Sequence, residues 1–178
     1  FGGGVLTREQ FLPHEMRIVA ALRMQGASDE QVIVRVKSEN LFQYPTERMV
    51  ANRATVCLRR LDAMVPTDAV CAARGIDPKT AVEAASSLTR LMASGTPTQA
   101  DQAIFYSMIC RYDIVRELVL VEMGERLQNF DYAFTAVDLN AFMTRFTTEY
   151  PDAARWTEAT VKRIKGSLRQ TLRHAGLI

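Results

Sequence analysis

At 178 residues, 48% hydrophobic and 24% charged, the chain has the composition of a globular protein of one domain or two small helical lobes and not of a disordered tail. Its 22 Lys/Arg nearly balance 20 Asp/Glu, so the net charge of +2 by itself assigns no polyanionic partner. Cys57, Cys71 and Cys110 show no CxxC spacing and lie in apolar runs, which speaks against a zinc site or a disulfide framework and reads as buried thiols in a reduced, cytoplasmic protein.

The first predicted helix covers about 13–25, with Met16, Val19, Ala20 and Leu22 at helical spacing and Gly26 placed to end it. Ser28 opens a second helix, Gln31 completes a capping box, and Val32 and Val36, with Ile33 beside them, form the buried stripe. NLFQYP, 40–45, is a connector, and Thr46 opens a third helix to about Met64. Asp77-Pro78 pairs an N-cap with an N1 proline ahead of a helix to Ala93. After the turn SGTPT, Thr98 is the expected cap of a long helix running to about Leu127. This helix contains the most apolar window, 104–123, but Arg111, Asp113, Arg116, Glu117 and Glu122 lie within it. Five charges make it a core helix and exclude membrane insertion. FDYAFT, 130–135, alternates apolar and polar residues and is the one candidate strand. Thr135 caps a helix to about Glu149 with Leu139, Phe142, Met143 and Phe146 facing inward; Pro151 breaks it, and Thr157 caps a last helix to about His174.

The fold class that follows is all-α: a compact multi-helix bundle of two lobes. Its N-terminal part is helix-turn-helix-like, and its C-terminal part is winged-helix-like with at most one short strand. Three regions are distinguished: an N-terminal helical lobe, 1–65; a central helical core, 66–130; and a C-terminal helical lobe, 131–178. The first holds nine Lys/Arg and seven Asp/Glu, the second six and eight, the third seven and five, so basic ends flank an acidic middle.

Two helices carry the candidate chemistry. On a helical wheel of the third, Val50, Ala54, Cys57, Leu58, Leu61 and Val65 share one side. Arg48, Asn52, Thr55 and Arg59 fall opposite, with Arg53 and Arg60 flanking them and no acid in the stripe. Arginine forks fit phosphate oxygens and guanine edges, and asparagine fits adenine. In the last helix Val161, Ile164, Leu168, Leu172 and Ala175 form the buried stripe. Lys162, Lys165, Arg169 and Arg173 project along one flank, and Arg163, Gln170 and His174 extend the exposed face. Cations late in a helix complement its dipole, which accounts for Arg169 and Arg173. Lys162, Arg163 and Lys165 lie nearer the positive end, where a polyanion is the simplest reason for them.

Catalytic signatures are missing. His14 and His174 are the only histidines, and no HExxH, GxSxG or GxxxxGKS occurs. FGGG has no strand before it and no Lys-Ser/Thr after it. The expectation is a protein without enzymatic activity, cofactor or metal.

In order along the chain, FLPHEMRIVAALRMQGASDEQVIVRVKSENLF with the Arg-rich helix after it, DQAIFYSMICRYDIVRELVLVEM, FTAVDLNAFM and YPDAARWTEATVKRIKGSLRQTLRHAGLI together resemble the BrxA family, small accessory proteins of the BREX bacteriophage-exclusion systems of bacteria. The resemblance implies an all-helical, NusB-like, DNA-binding protein without known catalytic activity, acting in antiviral defence beside a methyltransferase, an ATPase and other BREX proteins. It carries over no catalytic motif. The given sequence ends soon after the last basic helix, so a wing hairpin after it is expected to be absent or at most begun.

Taken together, the sequence predicts a non-catalytic binder of double-stranded DNA, acting mainly through phosphates. The expected contacts are Arg48, Asn52, Arg53, Arg59 and Arg60 on one helix and Lys162, Arg163, Lys165, Arg169 and Arg173 on the other. Two alternatives stand beside it. One is an RNA-binding, antitermination-like module, for which Tyr44 and Tyr112 are the only aromatics read as free to stack. The other is a scaffold docking other defence subunits or self-associating through its basic ends and acidic middle.

Overall fold

The structure is a computed structural model and describes residues 4–178; the first three residues of FGGG lie outside the described residues. A 3-10 turn, Gly4–Thr7, precedes α1 (Pro13–Met24), α2 (Asp29–Ser38), α3 (Glu47–Ala63), α4 (Asp68–Arg74), α5 (Pro78–Ser94) and α6 (Pro97–Arg111). Then come α7 (Asp113–Arg116), a π-helical segment (Glu117–Met123), α8 (Gly124–Gln128), α9 (Ala136–Glu149), a second 3-10 turn (Ala153–Arg155) and α10 (Glu158–His174). No strand occurs among the described residues, so the all-α expectation holds and the candidate strand at 130–135 does not.

Local chemistry sets most boundaries. Gly26 ends α1 at φ +84, with the Ala27 amide donating to the Leu22 carbonyl and the Gly26 amide to that of Arg23. Ser28 and Gln31 make the reciprocal bonds of a capping box, and Thr46, Asp77 and Thr157 each accept an amide from the first turn of their helices. Thr96, not Thr98, caps α6: its hydroxyl accepts from the Gln99 amide at 3.3 Å while the Gln99 side chain accepts from the Thr96 amide at 3.0 Å. The helix expected to reach Leu127 breaks at Tyr112, which is extended, and resumes as α7. A short helix, α4, falls where none was expected, capped by Thr67 and ended by Gly75 at φ +64.

Two compact units form. One is Leu12–Ser107. In it α1 packs along α5 and α3, and α2 packs on α3, over a core of Met16, Val19, Val32, Val36, Val50, Ala54 and Met92. Arg17 donates to the Gly95 carbonyl at 3.2 Å, closing the C-terminal end of α5. The other unit joins Met108–Ile178 to the first described residues through Phe11. There α10 packs on the Gly4–Thr7 turn and on α9, over Leu6, Phe11, Leu118, Phe142, Phe146, Ile164, Leu168 and Leu172. Burying each of the last three contributes about 1.5–3 kcal/mol, which holds α10 in place by its apolar stripe. Aromatic stacking closes the far end, with Tyr150 and Trp156 ring centroids 4.3 and 6.0 Å from that of Phe146.

Candidate nucleic-acid interface

The inward side of α10 is wider than the sequence implied. Ser167 and Thr171 are buried beside Ile164, Leu168 and Leu172, and the Thr171 hydroxyl donates to the Ser167 carbonyl at 2.9 Å. His174 does not extend the exposed face: its ring stacks on Phe11, centroids 4.4 Å apart and planes 7° apart. The remaining outward side is cationic. Lys162, Arg163 and Arg173 are exposed, and Lys165 and Arg169 are half-buried. Lys165 donates to the Asn140 side chain at 2.9 Å. Lys162, Arg163, Arg169 and Arg173 make no ion pair with the described residues, and Glu158 is the only acid in the helix. Gly166 lies in the middle of this face, where an added Cβ would meet open space. Nothing in the protein's own packing requires glycine there, and its absence of a side chain lets another backbone come close.

The α3 face is smaller than expected. Arg48, Asn52 and Arg59 are exposed. Arg60 is 0% exposed and is therefore removed from any surface contact, and Arg53 is half-buried near Tyr44 and Cys57. The reason is a buried arc wider than the sequence implied: Val56, about 100° around the helix from Cys57, is also covered, and Arg60 lies between the two. Burial pushes the Cys57 thiol up to about 12, which makes it an inert core group. Val65 lies past the end of the helix and is exposed. Thr55 turns its hydroxyl back to the Ala51 carbonyl at 2.9 Å.

A third feature replaces the strand expected over 130–135. The turn after α8 is a Schellman motif: the Asp131 amide donates to the Arg126 carbonyl and the Phe130 amide to that of Leu127. Its left-handed position, φ +58, is normally glycine and here holds Phe130, which is 79% exposed. Tyr132 is 73% exposed. Left-handed geometry costs a side-chain-bearing residue about 1–2 kcal/mol, and Phe130 recovers little of it by packing. Arg126 fixes the loop, reaching Asp131 at 2.7 Å, Asp138 at 2.6 Å and the Ala133 carbonyl at 3.3 Å. Phe134 ends the loop in a groove of about 320 Å³ lined by Thr135, Leu139, Arg169 and Arg173. The two tyrosines expected to be free are engaged: Tyr112 is wholly buried with its hydroxyl on Glu9, and Tyr44 donates to Glu15.

Residues 4–178 match the family model BrxA, essentially the whole chain. The chain belongs to the BrxA family. It is thus a BREX-associated protein, in agreement with the family resemblance of its sequence segments. No curated protein matches it. Within this BrxA-family fold, α10 brings Lys162, Arg163, Lys165, Arg169 and Arg173 onto one helix of one unit, while Arg48, Asn52 and Arg59 belong to the other unit. No group of three or more His, Cys, Asp or Glu side chains is arranged to hold a metal among the described residues, and no helix there is long and apolar enough to cross a membrane.

Proposed function

We propose that this chain is a non-catalytic component of a BREX system that binds double-stranded DNA, chiefly through phosphates, with α10 as the main contact. The observation that carries the reading is the set of four cations, Lys162, Arg163, Arg169 and Arg173, left without ion pairs on a helix whose one acid lies at its start. Arg23, Arg126 and Arg145, by contrast, each pair with two or three carboxylates. Ion pairing within the fold explains the second group and none of the first, and the helix dipole, which favours Arg169 and Arg173, does not account for Lys162 and Arg163. Gly166 supports the same reading, since it sets backbone within reach of a phosphate chain between Arg163 and Arg169.

Cations without fixed partners set affinity more than sequence choice, so weak sequence preference is expected. The test is a salt titration on a random-sequence duplex. Four to five phosphate contacts give a slope of log K against log salt of roughly −4. Replacing Lys162, Arg163 and Arg173 with Ala should cut the slope by about 3. Wild-type binding with a slope near zero, or no binding, refutes the proposal.

A further inference from the structure

The loop between α8 and α9 and the groove beside it combine two things, of which a duplex-phosphate surface needs only the second. The first is exposed aromatic area. Phe130 and Tyr132 are the two most exposed aromatic side chains among the described residues, and Phe130 holds a backbone position for which glycine is the ordinary occupant. The second is unspent positive charge next to it. Phe134, at the end of the same loop, lines the groove with Arg169 and Arg173, and it also lines the neighbouring hollow with Tyr132, Leu127 and Leu177. The acids of this region do not neutralise those arginines, because Asp131 and Asp138 are both held by Arg126. The cation–π contact of Arg126 over the Phe134 ring, 5.7 Å to the centroid, ties the loop to that network.

We propose that this loop and groove hold an unpaired DNA strand, Phe130 and Tyr132 stacking on its bases while Arg169 and Arg173 take its phosphates. Every base offers a π-face, so aromatic stacking beside a cationic groove serves single strands without regard to sequence. Paired bases in a duplex are already stacked and cannot use these rings. The site is therefore selective for DNA that carries an unpaired segment beside a duplex bound on α10. This proposal rests on the duplex-binding reading and adds to it a preferred DNA structure.

The experiment compares a blunt duplex with the same duplex bearing an unpaired tail that contains 2-aminopurine, using wild type and the double variant Phe130→Gly, Tyr132→Ser. Glycine suits the left-handed position, so the variant is expected to fold at least as well as wild type, which a melting curve checks. Wild type should bind the tailed duplex about fivefold or more tighter than the blunt one and quench the 2-aminopurine. The variant should bind the blunt duplex as wild type does and lose both the preference and the quenching. Equal wild-type affinity for the two duplexes, or a variant that keeps the tail preference, overturns this inference and leaves duplex binding standing. Absence of binding to either DNA overturns both. A variant that alters only sedimentation behaviour assigns the aromatics to a protein contact and likewise overturns it.

Discussion

At the scale of single residues, Gly166 and Arg60 separate function from stability in opposite directions. Gly166 sits mid-helix with open space where a Cβ would go, so Gly166→Ala should stabilise the protein by about 1 kcal/mol through helix propensity alone. The same methyl stands on the cationic face, so duplex affinity should fall. Urea unfolding and a binding titration on one preparation check both; a variant that gains stability and keeps full affinity removes Gly166 from the interface. Arg60 is wholly buried and engaged by other groups, so Arg60→Ala should cost about 3 kcal/mol or more. If it folds, its salt slope should equal that of wild type, and a reduced slope would return Arg60 to the surface. The cations of α10 were legible in the sequence because the amphipathic wheel there has one buried side. Arg60 was not, since it stands at the edge of the apolar stripe and only the burial of Val56 beyond it widens the buried arc of α3 to include it. Phe130 was misread for a different reason: alternation in FDYAFT suggested a strand, while the Schellman bonds that place its ring in solvent depend on backbone geometry that composition does not reveal.

At the scale of elements, capping chemistry made most of the fold readable, and its limits explain the errors. Ser28, Thr46, Asp77, Thr135 and Thr157 were found because a short polar side chain stands just before an apolar period. Thr96 and Thr98 both satisfy that rule, and only the reciprocal bond from Gln99 decides between them. Helix α4 is too short, at seven residues, to show a period. The start of α9 carries a pH prediction. The Asp138 carboxylate accepts from the Thr135 amide at 2.7 Å and from its hydroxyl at 2.6 Å, and these bonds, with Arg126 adding to them, hold its pKa below the usual aspartate value. A depressed folded-state pKa contributes stability that is full above the unfolded value, about 3.9, and is lost as pH falls through the lower folded value. The urea midpoint should therefore drop below about pH 4, and Asp138→Asn should make that acid limb shallower. An unchanged limb would mean that the carboxylate charge does not hold the α9 start. Arg126→Ala should also loosen the loop that presents Phe130 and Tyr132, because it removes the bonds to Asp131, Asp138 and the Ala133 carbonyl together.

At the scale of the whole molecule, a net charge of +2 hides the uneven use of its cations. The useful distinction is between cations neutralised within the fold and cations left over, and the two basic helices differ in it. On α3, Arg48 and Arg59 are exposed without an ion pair, whereas Arg53 and Arg60 are engaged within the fold; on α10, four cations are unpaired and Lys165 holds an uncharged amide. Counterion release counts phosphates neutralised, so each surface should contribute to the salt slope in proportion to its free cations. Removing Arg48 and Arg59 should flatten the slope by at most about 2, and removing Lys162, Arg163, Arg169 and Arg173 by about 3 to 4. If both surfaces touch one duplex, the two losses should add when the substitutions are combined, because the substituted residues lie on separate helices. If only α10 touches it, the α3 variant should match wild type at every salt concentration, and Arg48 and Arg59 become free for an acidic surface of another BREX protein. If the α3 variant loses more than the α10 variant, the ranking of the two surfaces proposed here is reversed, and Asn52 becomes the residue to test for base readout.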